Sequence, residues 1–334
     1  MTRPGSAPPP TGVLVMAHGT PASPAGIEPF YTAIRHGRPP PPDLLAELAG
    51  RYGAIGGTSP LAARTRAQVQ GLAAALESAA PGEYTVRFGA KHTAPSIEDA
   101  VADLAGCGVR RAVGIVLTPH QSSLGSGEYF RRAEAAAVEA SPRLTLTPVP
   151  SWYRADGFAQ LLADRTAAAL ASLGAGDRTR TAVFFTAHSL PERALVQGDP
   201  YPAQVHESAS DIAAALALDE APGLSWGVAW QSAGRTAEPW VGPDLLAEMD
   251  RVAGLGTTSV VVCPVGFVSD HLEVLYDLDI EAAGVARDAG MAFARTASLN
   301  DDPRFLGMLA HTVRAAAAAA PASSPASADS TSPA

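Results

Sequence analysis

The sequence predicts an α/β protein built as two doubly wound halves, each a parallel sheet flanked by helices. Three observations carry this. Eight strand signals recur along the 334 residues, separated by alanine-rich helical segments, the alternation that builds parallel sheets. Residues 13–21, VLVMAHGTP, and 183–191, VFFTAHSLP, repeat one pattern: an apolar strand, Ala-His, a small residue, one more residue and Pro. Residues 260–262 begin an unbroken apolar run, as in a strand buried on both faces.

In order, the strands fall at 12–18 (GVLVMAH), 84–90 (YTVRFGA), 111–118 (RAVGIVLT), 144–149 (LTLTPV), 181–187 (TAVFFTA), 224–230 (LSWGVAW), 258–263 (TSVVVC) and 291–295 (MAFAR). Each is rich in β-branched, aromatic or other apolar residues and is bounded by turn formers. The helices fill 62–79, 96–105, 126–140, 156–172, 203–217, 243–254, 270–285 and 302–318. Right-handed crossovers place them on both sheet faces. The first half spans 11–150 and is completed by the C-terminal helix 302–318; the second spans 151–300, entered through SWYRADG. Residues 1–10 are a disordered N-terminus and 319–334 a disordered tail, both rich in Pro, Ser or Ala. Two such halves face each other across a cleft lined by strand ends.

A formal net charge of −9 argues against nucleic acid as the main partner. Cys107 and Cys263 are the two cysteines, too few for a disulfide framework or an all-cysteine iron–sulfur site. Reduced cytoplasm is the expected compartment. Residues 1–10 lack the apolar core of a secretory signal, and no stretch is apolar enough to span a bilayer.

The chemistry centres on 260–281, VVVCPVGFVSDHLEVLYDLDIE. Pro264 and Gly266 break the strand, and Asp270 is expected to open a helix carrying Glu273, Asp277 and Glu281. Steps of four residues advance about 6 Å and drift about 40° around an α-helix. Widening toward π geometry would bring the three carboxylates closer to one line. A solvated acidic face, or a capping box of Asp270 and Glu273, would explain them without function. Against that, the helix follows a buried strand, where α/β proteins place their sites. His271 and Tyr276 stand among the acids with no Lys or Arg, so cations must come from elsewhere.

His188 lies at a strand's carboxyl end, and Pro191 stops the strand. That position suits a general base or metal ligand, or a half-buried structural histidine. His18 holds the matching place in the first half. With Glu273 these histidines form an N/O donor set suited to ferrous iron. The run AIGGTSPL, 54–61, offers backbone amides to an anion but matches no nucleotide fingerprint. Arg35, Arg38 and Arg51 precede it and, with Ser59, could meet carboxylates. Lys91, His92, His120 and Tyr129 also follow strand ends. Trp152, Trp226, Trp230 and Trp240 read as core. The loop 231–245, QSAGRTAEPWVGPDL, caps a strand and leads into a helix.

The motifs MAHGTP, RYGAIGGTSPLA, GAKHTAPSIEDAV, TAHSLPE, GDPYPAQVHESA, WQSAGRTAEPWVGPDL and PVGFVSDHLEVLYDLD together resemble the ferrochelatases, above all the soluble Gram-positive form that handles coproporphyrin. The resemblance runs from about residue 13 to residue 312. It implies two Rossmann-like, chelatase-like halves around a porphyrin cleft, and insertion of ferrous iron into a bent porphyrin with loss of two pyrrole protons. It assigns His188 and Glu273 to catalysis and metal handling, and Asp277 and Glu281 to an acidic ridge along a π-type helix. Arg35, Arg51, Tyr52, Ser59 and Tyr129 fall at porphyrin propionates, with Thr20 and His18 near the same edge. His18 replaces a usual Tyr and is an expected iron ligand; His36 replaces a usual second Arg. Iron is expected as substrate, with no tightly bound cofactor and no iron–sulfur cluster. The expected partners are porphyrin and ferrous iron, with transient contact to neighbouring haem-pathway enzymes, for a cytoplasmic monomer. Protoporphyrin IX as substrate, and a haem carrier without turnover, are the alternatives.

Overall fold

The computed structural model describes residues 9–174, 180–234 and 236–320. Residues 9–10 carry no regular structure and Ala319 ends the last helix. The rest of the expected terminal disorder lies outside the described residues.

All eight predicted strands form, with no end moved by more than two residues. They are β1 Thr11–Ala17, β2 Tyr84–Ala90, β3 Arg111–Val116, β4 Thr145–Val149, β5 Thr181–His188, β6 Leu224–Gln231, β7 Ser259–Cys263 and β8 Ala292–Arg295. They make two four-stranded sheets, ordered β2-β1-β3-β4 and β6-β5-β7-β8. Every pairing is parallel. The repeated motif falls on β1 and β5, which hold the same place in their sheets.

The inner sheet faces share one core. Val13 and Val15 of β1, Val183 and Phe185 of β5 and Val261 of β7 join it, with Phe305 and Leu309 of helix Pro303–Ala319. That helix packs on Leu61–Ala79 and on β3 and β4. On the outer faces, Leu14 and Met16 meet Val101 and Phe130, and Val260 and Val262 meet Met249 and Leu278. Each inner strand is therefore apolar on both sides, the physical origin of the continuous apolar runs. No described helix is long and apolar enough to cross a membrane. A cavity of about 610 Å³ between the connector 151–156 and helix Pro303–Ala319 holds none of the predicted site residues.

Three α-helices were not apparent in the sequence, Ile27–Ile34, Pro42–Ala54 and the single turn Arg193–Val196. The second starts with Pro42, whose missing N–H costs nothing there. It ends in a Schellman turn: Gly57 N–H donates to the Tyr52 carbonyl at 2.8 Å and Gly56 N–H to that of Gly53 at 3.1 Å. Gly56, just after the cap, has φ +98°, the left-handed conformation this ending requires, and Gly57 follows at +94°. The glycine-rich run is thus a helix terminator, and these two amides are not free to cradle an anion.

Candidate active site

β5 delivers His188 to the carboxyl edge of the second sheet. Its Nδ1–H donates to the Ser189 carbonyl at 2.6 Å, which turns Nε2 toward Glu273 Oε1, 3.5 Å away. The other carboxylate oxygen of Glu273 lies 3.4 Å from His271 Nε2. Nδ1 of His271 is in turn fixed 3.0 Å from the Ser269 carbonyl. One carboxylate therefore stands between two imidazoles. Burial alone would lower the His188 pKa, but Glu273, the Ser189 carbonyl and Asp277 outweigh it and raise it to about 9. Burial would likewise raise Glu273, yet His188 and His271 hold it well below the usual carboxylate range. At neutral pH the pair is imidazolium and carboxylate.

The surrounding backbone fixes this pair. A Cβ at Gly266 would lie 2.6 Å from the Ala187 Cβ, so only glycine lets the 264–266 turn pass behind β5. Gln231, the last residue of β6, donates to the Glu273 carbonyl at 3.1 Å and accepts from the Thr186 hydroxyl at 2.8 Å. Trp240 places its ring 6.3 Å from that of His188.

The acidic helix does not begin at Asp270. Its first turn is Leu272–Leu275, with His271 at the N-cap and no side-chain cap. Asp270 instead accepts from the Ser298 hydroxyl at 2.7 Å and the Asn300 amide at 2.8 Å, and pairs with Arg295 at 3.5 Å. This tertiary site removes the capping box. Beyond it, Asp277–Ala282 form a π-helix, as the family resemblance implied.

The offsetting cations come from distant segments. Asp277 is buried and accepts from Arg51 Nη2 and from the Ser232 hydroxyl. Arg51 also lies 4.6 Å above the Tyr276 ring. Burial, reinforced by Glu273 and Glu281, raises Asp277 to about 6 against the lowering effect of Arg51 and Ser232. Asp279 pairs with Arg295 at 2.7 Å. Glu281 is exposed. With Arg51, Ser232 and Asp277 it lines a polar cavity of about 180 Å³.

The first half supplies the facing wall. His18 follows β1 with its side chain partly open to solvent and with the Phe30 and His92 rings packed against it. Burial lowers its pKa despite the charge of Glu273, which reaches it. Thr20 and Tyr52 are buried, their hydroxyls 3.3 Å apart. Tyr52 and Leu272 share a small core with Ile27, and this packing brings Arg51 to Asp277. The Ser59 hydroxyl accepts from Leu61 N–H at 3.2 Å. Arg35 lies 5.8 Å from the Tyr31 ring. Among the described residues, Nε of Arg35 and of Arg51 is buried without a hydrogen-bond partner. Tyr129 stands apart, buried in the outer core of the first half, with Lys91 Nζ 5.2 Å from its ring. His36 closes helix Ile27–Ile34 at φ +55°.

Among the described residues, no three His, Cys, Asp or Glu side chains form a ready metal cage. His188 and Glu273 offer two donors, a number suited to handing an ion onward. Sequence reasoning missed Gln231, Ser232 and His271 as supports of the carboxylates. Their only signal was position, beside a strand end and inside the acidic run. Of the tryptophans, Trp152 and Trp230 are core, whereas Trp240 borders the site.

The ferrochelatase family model matches residues 10–317. A ferrochelatase of Herpetosiphon aurantiacus is 40% identical over 299 residues, 90% of this chain and 96% of its own. Coproporphyrin III ferrochelatases of Geobacillus kaustophilus and Bacillus subtilis are each 43% identical, over 90% of this chain and 94% and 96% of theirs. Among solved structures, SirB from Bacillus subtilis with Fe3+ superposes with a TM-score of 0.55 at 11% identity, covering 92% of this chain and 96% of that one. At that identity the likeness concerns the fold alone. The family match and the relatives agree along nearly the whole described chain, and the protein belongs to the ferrochelatase family.

Proposed function

We propose that this chain inserts ferrous iron into coproporphyrin III, giving coproheme, with His188 as proton acceptor and Glu273 as its partner in metal handling. The observation that carries this reading is the His188–Glu273 pair at a strand end opposite His18. A flat porphyrin hides its nitrogen lone pairs, so binding energy from remote carboxylates must bend it. Arg35 and Arg51 are placed to supply that energy, and their unpartnered buried Nε atoms favour an anionic ligand. Ser59, Tyr52, Thr20 and Tyr129 are read as further porphyrin contacts. His18 is read as an iron ligand on the opposite wall.

In the free protein the His188–Glu273 pair already carries one proton. An arriving dication drives that proton outward along the carboxylates to solvent and leaves neutral imidazole, which takes the two pyrrole protons one after the other and passes each on by the same route. Asp277, near pH 6 in its titration, is the next acceptor, and Glu281 leads to solvent. The reading includes no tightly bound cofactor, a cytoplasmic monomer and transient contact with neighbouring haem-pathway enzymes.

The test compares initial rates of iron insertion into coproporphyrin III and protoporphyrin IX under anaerobic conditions. Coproporphyrin III should give at least a tenfold higher kcat/KM, a difference of ~1.4 kcal/mol that one charge-assisted contact supplies. A preference for protoporphyrin IX overturns the substrate assignment.

A further inference from the structure

We propose that His18 and His92 form a second divalent-metal site, on the first-half wall of the cleft. Both follow the carboxyl ends of adjacent parallel strands, β1 and β2, whose last residues Ala17 and Ala90 are paired. His92 N–H donates to the His18 carbonyl at 3.1 Å, which ties the two backbones together. The imidazole centres lie 4.7 Å apart with their planes tilted by 59°. Two imidazoles sharing one ion at bonds of about 2.1 Å, with 90–110° between them, have ring centres about 4.6–5.3 Å apart. The observed separation falls inside that window.

The surroundings hold this arrangement and leave donors free. Phe30 packs edge-on against both rings, its centre 5.7 Å from His18 and 6.2 Å from His92. A Cβ on Gly19 would stand 2.4 Å from the Thr93 hydroxyl, so glycine there permits the two strand-end loops to touch. Nδ1 of His18 faces the Gly19 carbonyl at 3.3 Å, and among the described residues no hydrogen bond reaches its Nε2. Among the described residues no hydrogen bond reaches either ring nitrogen of His92. Lys91, the nearest cation in sequence, is drawn to Glu128 at 2.6 Å.

Two neutral imidazoles select borderline ions such as Fe2+, Co2+ or Zn2+ over Mg2+ or Ca2+. No third carboxylate, thiolate or imidazole completes the set among the described residues, so water fills the remaining positions and exchange is fast. A labile site facing His188 and Glu273 suits a metal waiting to be inserted. That role rests on the chelatase reading; the binding itself does not.

The experiment titrates Co2+ into the porphyrin-free full-length chain, read by visible absorption and calorimetry. It is repeated for His188→Ala, His18→Phe and His92→Phe, the last two keeping an aromatic ring of similar size. Circular dichroism confirms that each variant folds. An imidazole-bound cobalt spectrum should persist in His188→Ala, and affinity should fall about tenfold or more in both phenylalanine variants. Unchanged Co2+ affinity and spectrum in His92→Phe overturn the site, as does loss of all Co2+ binding in His188→Ala. Because no porphyrin is present, failure of the chelatase assay would leave this result standing.

Discussion

Arg51, on helix Pro42–Ala54 of the first half, donates to the buried carboxylate of Asp277 on the π-helix of the second. The two residues are 226 positions apart. One guanidinium thus serves the ridge and stands where a porphyrin carboxylate is proposed to bind. Asp277 titrates near 6 with Arg51 beside it, and Arg51 is the largest influence lowering it. Removing that cation must raise the value further. Arg51→Gln should therefore move the acid limb of the kcat/KM–pH profile upward from about 6, and raise KM for coproporphyrin III. An acid limb that does not move separates Asp277 from the proton path.

The upper part of the same ascending limb reports on His188. Its pKa of about 9 exceeds the ordinary 6.5. Neutral imidazole is the base, so kcat/KM of the free enzyme should rise with pH toward about 9. Glu273→Gln removes the largest raising influence and should shift this limb downward. The stability linkage has a definite sign. Stabilisation by the His188–Glu273 pair is complete below pH 6.5 and is lost as pH rises through about 9. Tm of the wild type should fall across that window relative to Glu273→Gln. Parallel Tm curves would show that the pair is not charged in the folded state.

The three carboxylates should not be equivalent. Glu273 touches both imidazoles, Asp277 is buried with Arg51, and Glu281 is exposed. Glu273→Gln should lower kcat by at least about 100-fold, and Glu281→Gln by only a few-fold. Equal small losses would return the ridge to a solvated acidic face.

His18→Ala should change the visible spectrum of the bound iron porphyrin and speed product release, since imidazole ligates both iron oxidation states. Insertion should fall by less than in His188→Ala. Stopped-flow transfer of product haem to an apo-globin measures release; an unchanged spectrum and rate exclude axial ligation by His18.

Local pattern made the strands and the strand-end histidines legible. β1 and β5 are buried on both faces, so their sequences are continuously apolar, and His18 and His188 follow directly. The π widening was legible only through the family resemblance, because a four-residue spacing of carboxylates is equally compatible with an α-helix. The residues that answer the carboxylates were not. Arg51, Ser232 and Arg295 reach the ridge through tertiary packing, and nothing in their own segments marks those partners. Asp270 illustrates the same limit. Its spacing from Glu273 satisfies a capping box, but Ser298, Asn300 and Arg295 compete for its carboxylate and win. Helix Pro42–Ala54 was hidden by glycines at 50 and 53 and by the proline run before it.

The central claim is that His188 takes protons during iron insertion. It is tested most directly by mixing Fe2+ and coproporphyrin III anaerobically with the wild type and with His188→Ala, following loss of free-porphyrin fluorescence. Porphyrin binding is measured separately by quenching without metal. The wild type should turn over, and His188→Ala should bind porphyrin with similar affinity yet insert iron at least about 100-fold more slowly. Turnover by His188→Ala at the wild-type rate would contradict the account.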